Sequence, residues 1–453
     1  MRILSITAGA AGMYCGSCLR DNALAVELLA RGHQVTLLPL YTPTNPDETN
    51  VSHERVLFGG ISIYLQQHSR LFRKLPRLLD RLWDSPRVIK AFASRSISTD
   101  PRMLGDLTVS MLEGDRGVLR KEFDKLLVWM STEPVPDIIN LPNSLLIGLA
   151  RPLRDAVRRP IVCTLQGEDL FLDGLIEPYR QRAIDLIREQ VRDVDRFISV
   201  SEYYAPVMAG LLQIPPPKMA IVPLGINLEG YERRDGLPPK GASHIGGDSV
   251  FRVGYFARIA PEKGLHVLAD AYIRLRMRTG SAPMALEAAG YLAPAQQGYL
   301  DEVRRTLETA GLAQEFTYRG AVDRDAKLAF LQTLDVFSVP APYDEPKGVF
   351  LLEAMATGVP VVQPRRGAFT EIVENTGGGL LVARDDPAAL ADGLYALWAD
   401  RGRAATLGER GFEGVRRHYS IARSTDRLLA VYDALVAGGA PAPAEDRRLA
   451  ARH

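Results

Sequence analysis

The apolar positions of this chain fall into short unbroken runs that alternate with longer segments of helical period. Residues 2–8, RILSITA, form an apolar run of strand length, which reads as a buried strand. A loop of small residues from 9 to 16 follows. LRDNALAVELLARG then reads as a helix, with Leu24 and Leu28 on one face and Gly32 as its stop. QVTLLPLY is a second buried strand. Strand, glycine loop, helix and strand make a βαβ unit that opens a parallel sheet. Further strands are expected at 137–140, 161–165 and 197–200.

The rhythm breaks at 232–249, ERRDGLPPKGASHIGGDS, whose glycine, proline and charge read as an interdomain linker. It then restarts. Strands are expected at 251–256, 284–289, 316–319, 336–339 and 359–362, and helices at 264–278, 295–310, 324–333 and 349–357. A last helix, about 420–436, is expected to cross back to the first domain. Residues 438–453, GGAPAPAEDRRLAARH, read as a disordered tail. The expected fold class is α/β: two doubly wound Rossmann-like domains, 1–230 and 250–419, facing a central cleft. Ligands of such sheets bind at the carboxyl ends of the strands, so candidate chemistry is sought in the loops that follow them.

At 453 residues the chain exceeds one hydrophobic core. Lys+Arg is 55 against 54 Asp+Glu, so no global field attracts nucleic acid, and any anion site is a local pocket. Three cysteines, Cys15, Cys18 and Cys163, are too few for a disulfide scaffold and suit a reducing compartment. The first residues do not read as a signal peptide, and no stretch reaches the roughly 20 apolar residues of a membrane span. A cytoplasmic protein is expected. Between the early strands and Asp137 a long basic helical region carries Arg70, Arg73, Lys74, Arg77, Arg81 and Arg87 among Leu71, Phe72, Leu75, Leu78, Leu79 and Trp83. Three readings stand: a peripheral contact on the inner membrane face, a wall of an acceptor site, or a core-facing helix with a solvated basic face.

The most informative segment is EPKGVFLLEAMATGVPVV. Glu345 lies in the loop after one strand, and Glu353 lies inside the next helix, eight residues on. Gly348, Val349 and Phe350 form the helix start between them. Free N–H groups and the positive dipole end suit a phosphate, and Gly348 lets backbone approach a ligand closely. A carboxylate before the turn can accept sugar hydroxyls, and one along the helix can take a ribose diol. Taken alone, two glutamates at this spacing also fit a solvated loop and helix face.

This segment, with GYFARIAPEKGLHVLADAY before it and GAFTEIVENTGGGLLV after it, resembles glycosyltransferase family 4, of the GT-B fold. The resemblance covers nearly all of the C-terminal half, and SEYYAPVMAGLL, MAIVPLGINLEGY and the N-terminal glycine loop extend it. It implies a retaining, metal-independent transferase that uses a nucleotide-sugar co-substrate (UDP-, GDP- or ADP-linked) and no cofactor. Arg258 and Lys263 match the basic pair that neutralises the donor diphosphate. Both follow a strand, and two cations there stabilise a leaving diphosphate as charge develops. Glu345 matches the contact to the donor sugar and Glu353 the ribose ligand. Gly348, Val349 and Phe350 offer backbone N–H groups, and Gly12 and Gly16 face the donor phosphates. Glu371 is expected in a supporting loop. The acceptor, a carbohydrate, lipid or small molecule, falls to the N-terminal domain.

Three departures stand out. Gln166 occupies the place of a frequent histidine. It takes no proton but can hydrogen-bond a hydroxyl, and Glu168 or Asp169 are candidate acceptor-side carboxylates. Lys347 replaces the usual aromatic residue between Pro and Gly, either as a solvated loop lysine or as a contact to an anionic sugar or acceptor. Cys15 and Cys18 form Cys-x-x-Cys, which raises redox or zinc chemistry. The rival readings are a non-catalytic nucleotide-sugar binder, a nucleotide-sugar epimerase and a thiol redox protein.

Overall fold

The computed structural model describes residues 1–9, 16–44, 46, 48–54, 56–58, 104–231 and 250–438. Gly12, Cys15, residues 70–87 of the basic region, the 232–249 linker and the tail from 439 onward lie outside the described residues. The strands form two six-stranded sheets, every pairing parallel. The first holds β1 (Arg2–Thr7), β2 (Gln34–Pro39), β3 (Ile138–Leu141), β4 (Ile161–Leu165), β5 (Arg196–Ser199) and β6 (Met219–Ile221), in the order β2-β1-β3-β4-β5-β6. The second holds β7 (Phe251–Phe256), β8 (Met284–Ala289), β9 (Phe316–Tyr318), β10 (Val336–Phe337), β11 (Val361–Pro364) and β12 (Gly379–Val382), in the order β12-β11-β10-β7-β8-β9.

Burial explains the order. β3 and β4 are buried at every residue, as the continuous apolar runs IINL and IVCTL require of strands covered on both faces. β6, β9 and β12 have no fully buried residue, and all three lie at sheet edges. Strand order reverses between β1 and β3 in the first sheet and between β7 and β10 in the second. Adjacent connections leave in opposite directions at these points, which opens a crevice at the carboxyl ends.

Expected and observed elements differ at their edges. The first helix runs over Gly16–Ala30, three residues earlier than its apolar face alone indicates. β11 starts at Val361 rather than at 359, because Val359 and Pro360 still belong to the turn after helix Val349–Ala356. β6 and β12, and helices Gly367–Thr376, Pro387–Ala399 and Arg401–His418, were not among the expected elements.

The chain crosses between the sheets twice, side by side. Ile226 N–H donates to the Tyr419 carbonyl (2.9 Å), and Ile421 N–H donates to the Ile226 carbonyl (2.8 Å). The last helix, Ile421–Ala437, then packs on the first sheet's side. Leu428 and Tyr432 join Ile3, Leu24 and Leu28 in one apolar cluster, and Arg31 pairs with Asp426 at 2.6 Å.

Candidate active site

The loop after β7 carries Arg258 and Lys263, and the loop after β10 carries Tyr343, Glu345 and Lys347. These are the two strands that flank the order reversal, so topology alone brings the loops together. Two glycines set their paths. Gly264 has φ +76° and caps helix Leu265–Thr279. Gly348 has φ +63° and caps helix Val349–Ala356. Both sit where side-chain-bearing residues are strained.

Glu345 is 3% exposed. Its carboxylate accepts hydrogen bonds from the Lys263 ammonium and from the Tyr343 hydroxyl, and Lys263 also donates to the Tyr343 oxygen at 2.9 Å. The ammonium lies 5.1 Å from the Tyr343 ring centre and 5.6 Å from that of Phe350, within cation–π range. Burial pushes the Glu345 carboxyl upward, but the charge and hydrogen bond of Lys263 and the hydroxyl of Tyr343 outweigh it, and the group ends below its usual 4.5. A carboxyl lowered by folding contributes stability above its unfolded value and loses it as pH falls through the folded value. Thermal unfolding followed from pH 4.5 to about 3 is therefore expected to fall more steeply in the wild type than in Glu345→Gln; parallel curves would show that the pair is not formed.

Arg258 pairs with Glu262 at 2.6 Å and its side chain is 52% exposed. It makes no hydrogen bond to the Lys263–Tyr343–Glu345 cluster among the described residues, but its charge lies close enough to act on the Tyr343 hydroxyl. Glu353 is 9% exposed. It accepts from Lys327 Nζ at 2.7 Å and from the Tyr231 hydroxyl at 3.3 Å, so its position is fixed from two other segments of the chain. Val349 and Phe350 open their helix behind Gly348, half-buried.

In the first domain, Gln166 donates from Nε2 to the Pro142 carbonyl (2.8 Å) and to Asp21 (3.4 Å). Glu168 is buried between the loops after β3 and β4. It is 5% exposed, takes Ser144 N–H and Oγ on one oxygen (2.9 Å each) and Gln166 N–H on the other (2.7 Å). Burial raises its carboxyl, and these bonds oppose the rise. Its work is to tie the loop after β3 to the loop after β4. Asp169 accepts from the Tyr204 hydroxyl at 2.6 Å. Gly16 opens the first helix, and among the described residues nothing lies within 4 Å of where its Cβ would sit.

Contacts cross between the two sheets' loops. Ser201 Oγ donates to the Pro346 carbonyl at 2.9 Å. Glu371 lies on helix Gly367–Thr376 rather than in a loop, and its carboxylate accepts the N–H groups of Glu202 (3.2 Å) and Tyr203 (2.8 Å). Arg324 pairs with Glu48 at 3.0 Å. Lys347 reaches Ser17 Oγ at 3.3 Å.

Cys18 and Cys163 are both buried, and burial raises the Cys163 thiol well above its usual range, the opposite of what a reactive thiolate needs. Among the described residues no three His, Cys, Asp or Glu side chains are grouped to hold a metal ion, and no helix is long and apolar enough to cross a membrane.

Sequence reasoning missed Tyr343, Lys327, Tyr231 and Ser201. Tyr343 stands two residues before Glu345 and was open to notice. Lys327 and Tyr231 meet Glu353 from 26 and 122 positions away, and no local pattern announces them.

Comparison with known proteins agrees with this architecture. Residues 248–414 match the model for glycosyl transferases group 1, and residues 113–229 match that for glycosyltransferase family 4. The chain is 31% identical over 227 residues to the lipopolysaccharide core biosynthesis mannosyltransferase LpsB of Rhizobium meliloti, covering 48% of this chain and 62% of that protein. It is 28% identical over 275 residues to D-inositol 3-phosphate glycosyltransferase of Salinispora arenicola, covering 56% and 58%. It is 31% identical over 223 residues to phosphatidyl-myo-inositol mannosyltransferase of Mycobacterium leprae, covering 48% and 54%. The matches thus span between about half and two-thirds of these relatives' lengths. In fold, the chain superposes on sucrose-phosphate synthase from Thermosynechococcus elongatus with TM-score 0.69 at 18% identity, over 97% of this chain and all of that one. It superposes on Anabaena HepE in complex with UDP with TM-score 0.64 at 18% identity, over 96% and 100%. The two parallel sheets are those of the GT-B fold, and the chain belongs to glycosyltransferase family 4.

Proposed function

We propose that this protein is a retaining, metal-independent glycosyltransferase that moves a sugar from a nucleotide-diphosphate sugar to an acceptor hydroxyl. The observation that carries the reading is the Lys263–Tyr343–Glu345 cluster at the order reversal of the second sheet. In this reading Lys263 meets the donor diphosphate, and Arg258 swings from Glu262 to join it. Their charge favours departure of the diphosphate as the bond from the anomeric carbon to its oxygen breaks. Glu345, kept ionised, accepts sugar hydroxyls. Glu353, held in place by Lys327 and Tyr231, takes the ribose. The acceptor oxygen bonds to the same face of the anomeric carbon, and its proton passes to the departing phosphate.

Two of the relatives above are named mannosyltransferases, and the HepE structure holds UDP, so GDP-mannose and UDP-glucose are the first donors to try. Slow hydrolysis of UDP-, GDP- and ADP-sugars, without acceptor and in EDTA, tests the reading. One donor is expected to be turned over, and Glu345→Gln is expected to lose about 100-fold or more. The buried amide of Gln166 favours a second reading, a donor-binding protein without turnover. Calorimetric binding without hydrolysis or transfer would support that reading, and absence of both binding and turnover would overturn the proposal.

A further inference from the structure

Lys347 makes no hydrogen bond within the donor-site cluster described above, although its charge helps to hold the Glu345 carboxyl below its usual range, and its surroundings are unusual for a cation. It is half-buried in the cleft. Its backbone is held to the first domain, because the Pro346 carbonyl accepts from Ser201 Oγ. The Pro346 ring lies against Gly167, so closely that a Cβ there would stand 2.9 Å from Pro346 Cγ and 3.9 Å from Lys347 Cε. The side chain therefore passes over the loop after β4 and ends at Ser17, in the first turn after β1. β1 and β4 flank β3 on either side. A lysine of the second domain is thus delivered to the crevice of the first.

Among the described residues, the ammonium has one hydrogen-bond partner, the neutral Ser17 hydroxyl, and feels the Glu345 charge only at a distance. Glu345, two residues away, gives its short contacts to Lys263 and Tyr343. Glu168 is committed to Ser144 and Gln166, and Asp169 to Tyr204. An ammonium has three donors, so two are left for a ligand. The nearby Glu345 charge is shared with Lys263, so the Lys347 ammonium, without an ion pair of its own among the described residues, can take an incoming anion.

We infer that Lys347 is a specificity-determining residue that pairs with an anionic group, a phosphate or carboxylate, on the acceptor. This deepens the proposed transfer and rests on it. The acceptor rather than the donor is assigned because the donor diphosphate has its own cations in the second domain, whereas Lys347 is held over the crevice of the first.

Calorimetry on the full chain tests this. The probes are glucose 6-phosphate, fructose 6-phosphate, inositol 1-phosphate and glucuronate, each against its uncharged parent. At least one anionic probe is expected to bind 10-fold or more tightly than its parent. Lys347→Gln is expected to lose that preference, and Lys347→Arg to keep most of it. Equal binding of every charged and neutral pair would overturn the inference, as would a preference that survives in Lys347→Gln. A Lys347-dependent preference for UDP-glucuronate over UDP-glucose, with none among the acceptors, would move the anion to the donor and overturn it too. Donor binding measured in parallel keeps the tests separate: failure there defeats the transferase reading, while failure of the acceptor series alone defeats only the role of Lys347.

Discussion

Lys263→Ala is expected to cost about 3–5 kcal/mol of folding stability, the range for removing one partner of a buried ion pair, and to reduce donor turnover by about 100- to 1,000-fold. The two losses have different origins. Glu345 is 3% exposed, and without Lys263 the Tyr343 hydroxyl and the more distant charge of Lys347 remain to support its carboxylate. Burial, the largest single influence on this carboxyl and one that raises it, then prevails, and the group takes up a proton more readily. The pH dependence should change sign: mild acidification, which weakens the wild-type pair, should relieve the variant. Lys263→Met combined with Glu345→Gln removes both charges and should recover most of the stability, since replacing a buried pair by uncharged groups of similar volume is often neutral. It should not recover turnover. Urea unfolding with donor hydrolysis on the three proteins makes the check. A Lys263→Ala protein within about 1 kcal/mol of wild type would mean that the pair is open to water rather than sealed.

The sequence carried the fold well where burial is continuous and poorly where it is not. β4 was expected at 161–165 and lies at Ile161–Leu165, because an interior strand of a parallel sheet must be apolar throughout. β12, GLLV, escaped notice because it begins on the last of three consecutive glycines and sits half-exposed on an edge. β10 has only two residues in the ladder although it is central; pairing with β7 and β11 supports it, and no run of two residues announces that. The candidate site was legible as a set of loops, since Arg258, Lys263 and Glu345 each follow a strand. It was not legible as a set of contacts. Arg258 turns outward to Glu262, Glu168 turns inward to Ser144, and Glu353 is answered from another helix. A residue's position after a strand follows from local pattern. Its direction follows from tertiary partners that share no pattern with it.

The cleft shows the same division. Glu371 reads in the sequence as one more carboxylate near the donor loops. In the structure its two oxygens take the N–H groups of Glu202 and Tyr203, across from its own sheet. With the Ser201–Pro346 bond, this joins the loop after β5 to the segments that carry Glu345 and Lys347. The position of the sugar-facing loop thus depends on both domains, which links acceptor-side geometry to donor-side chemistry.

Gly264→Ala is expected to damage both stability and the site. Gly264 has φ +76°, and a side chain in the left-handed region costs about 1–2 kcal/mol. The larger obstacle is space: a Cβ would lie 2.1 Å from the Pro340 carbonyl oxygen and 2.7 Å from its carbon. Backbone cannot rotate away as a side chain can, so the loop after β10 must move, and such overpacking adds about 1–3 kcal/mol. Pro340 lies at the root of the loop that carries Tyr343 and Glu345, and Gly264 directly follows Lys263. The shift therefore separates the ammonium from its carboxylate, and donor turnover should fall with stability. Gly311→Ala isolates the conformational part, since Gly311 has φ +75° but nothing within 4 Å of its added Cβ. That variant should lose about 1–2 kcal/mol and keep its turnover. Equal unfolding free energies and equal donor hydrolysis for the two variants would show that the loops after β7 and β10 do not pack as tightly as this geometry requires.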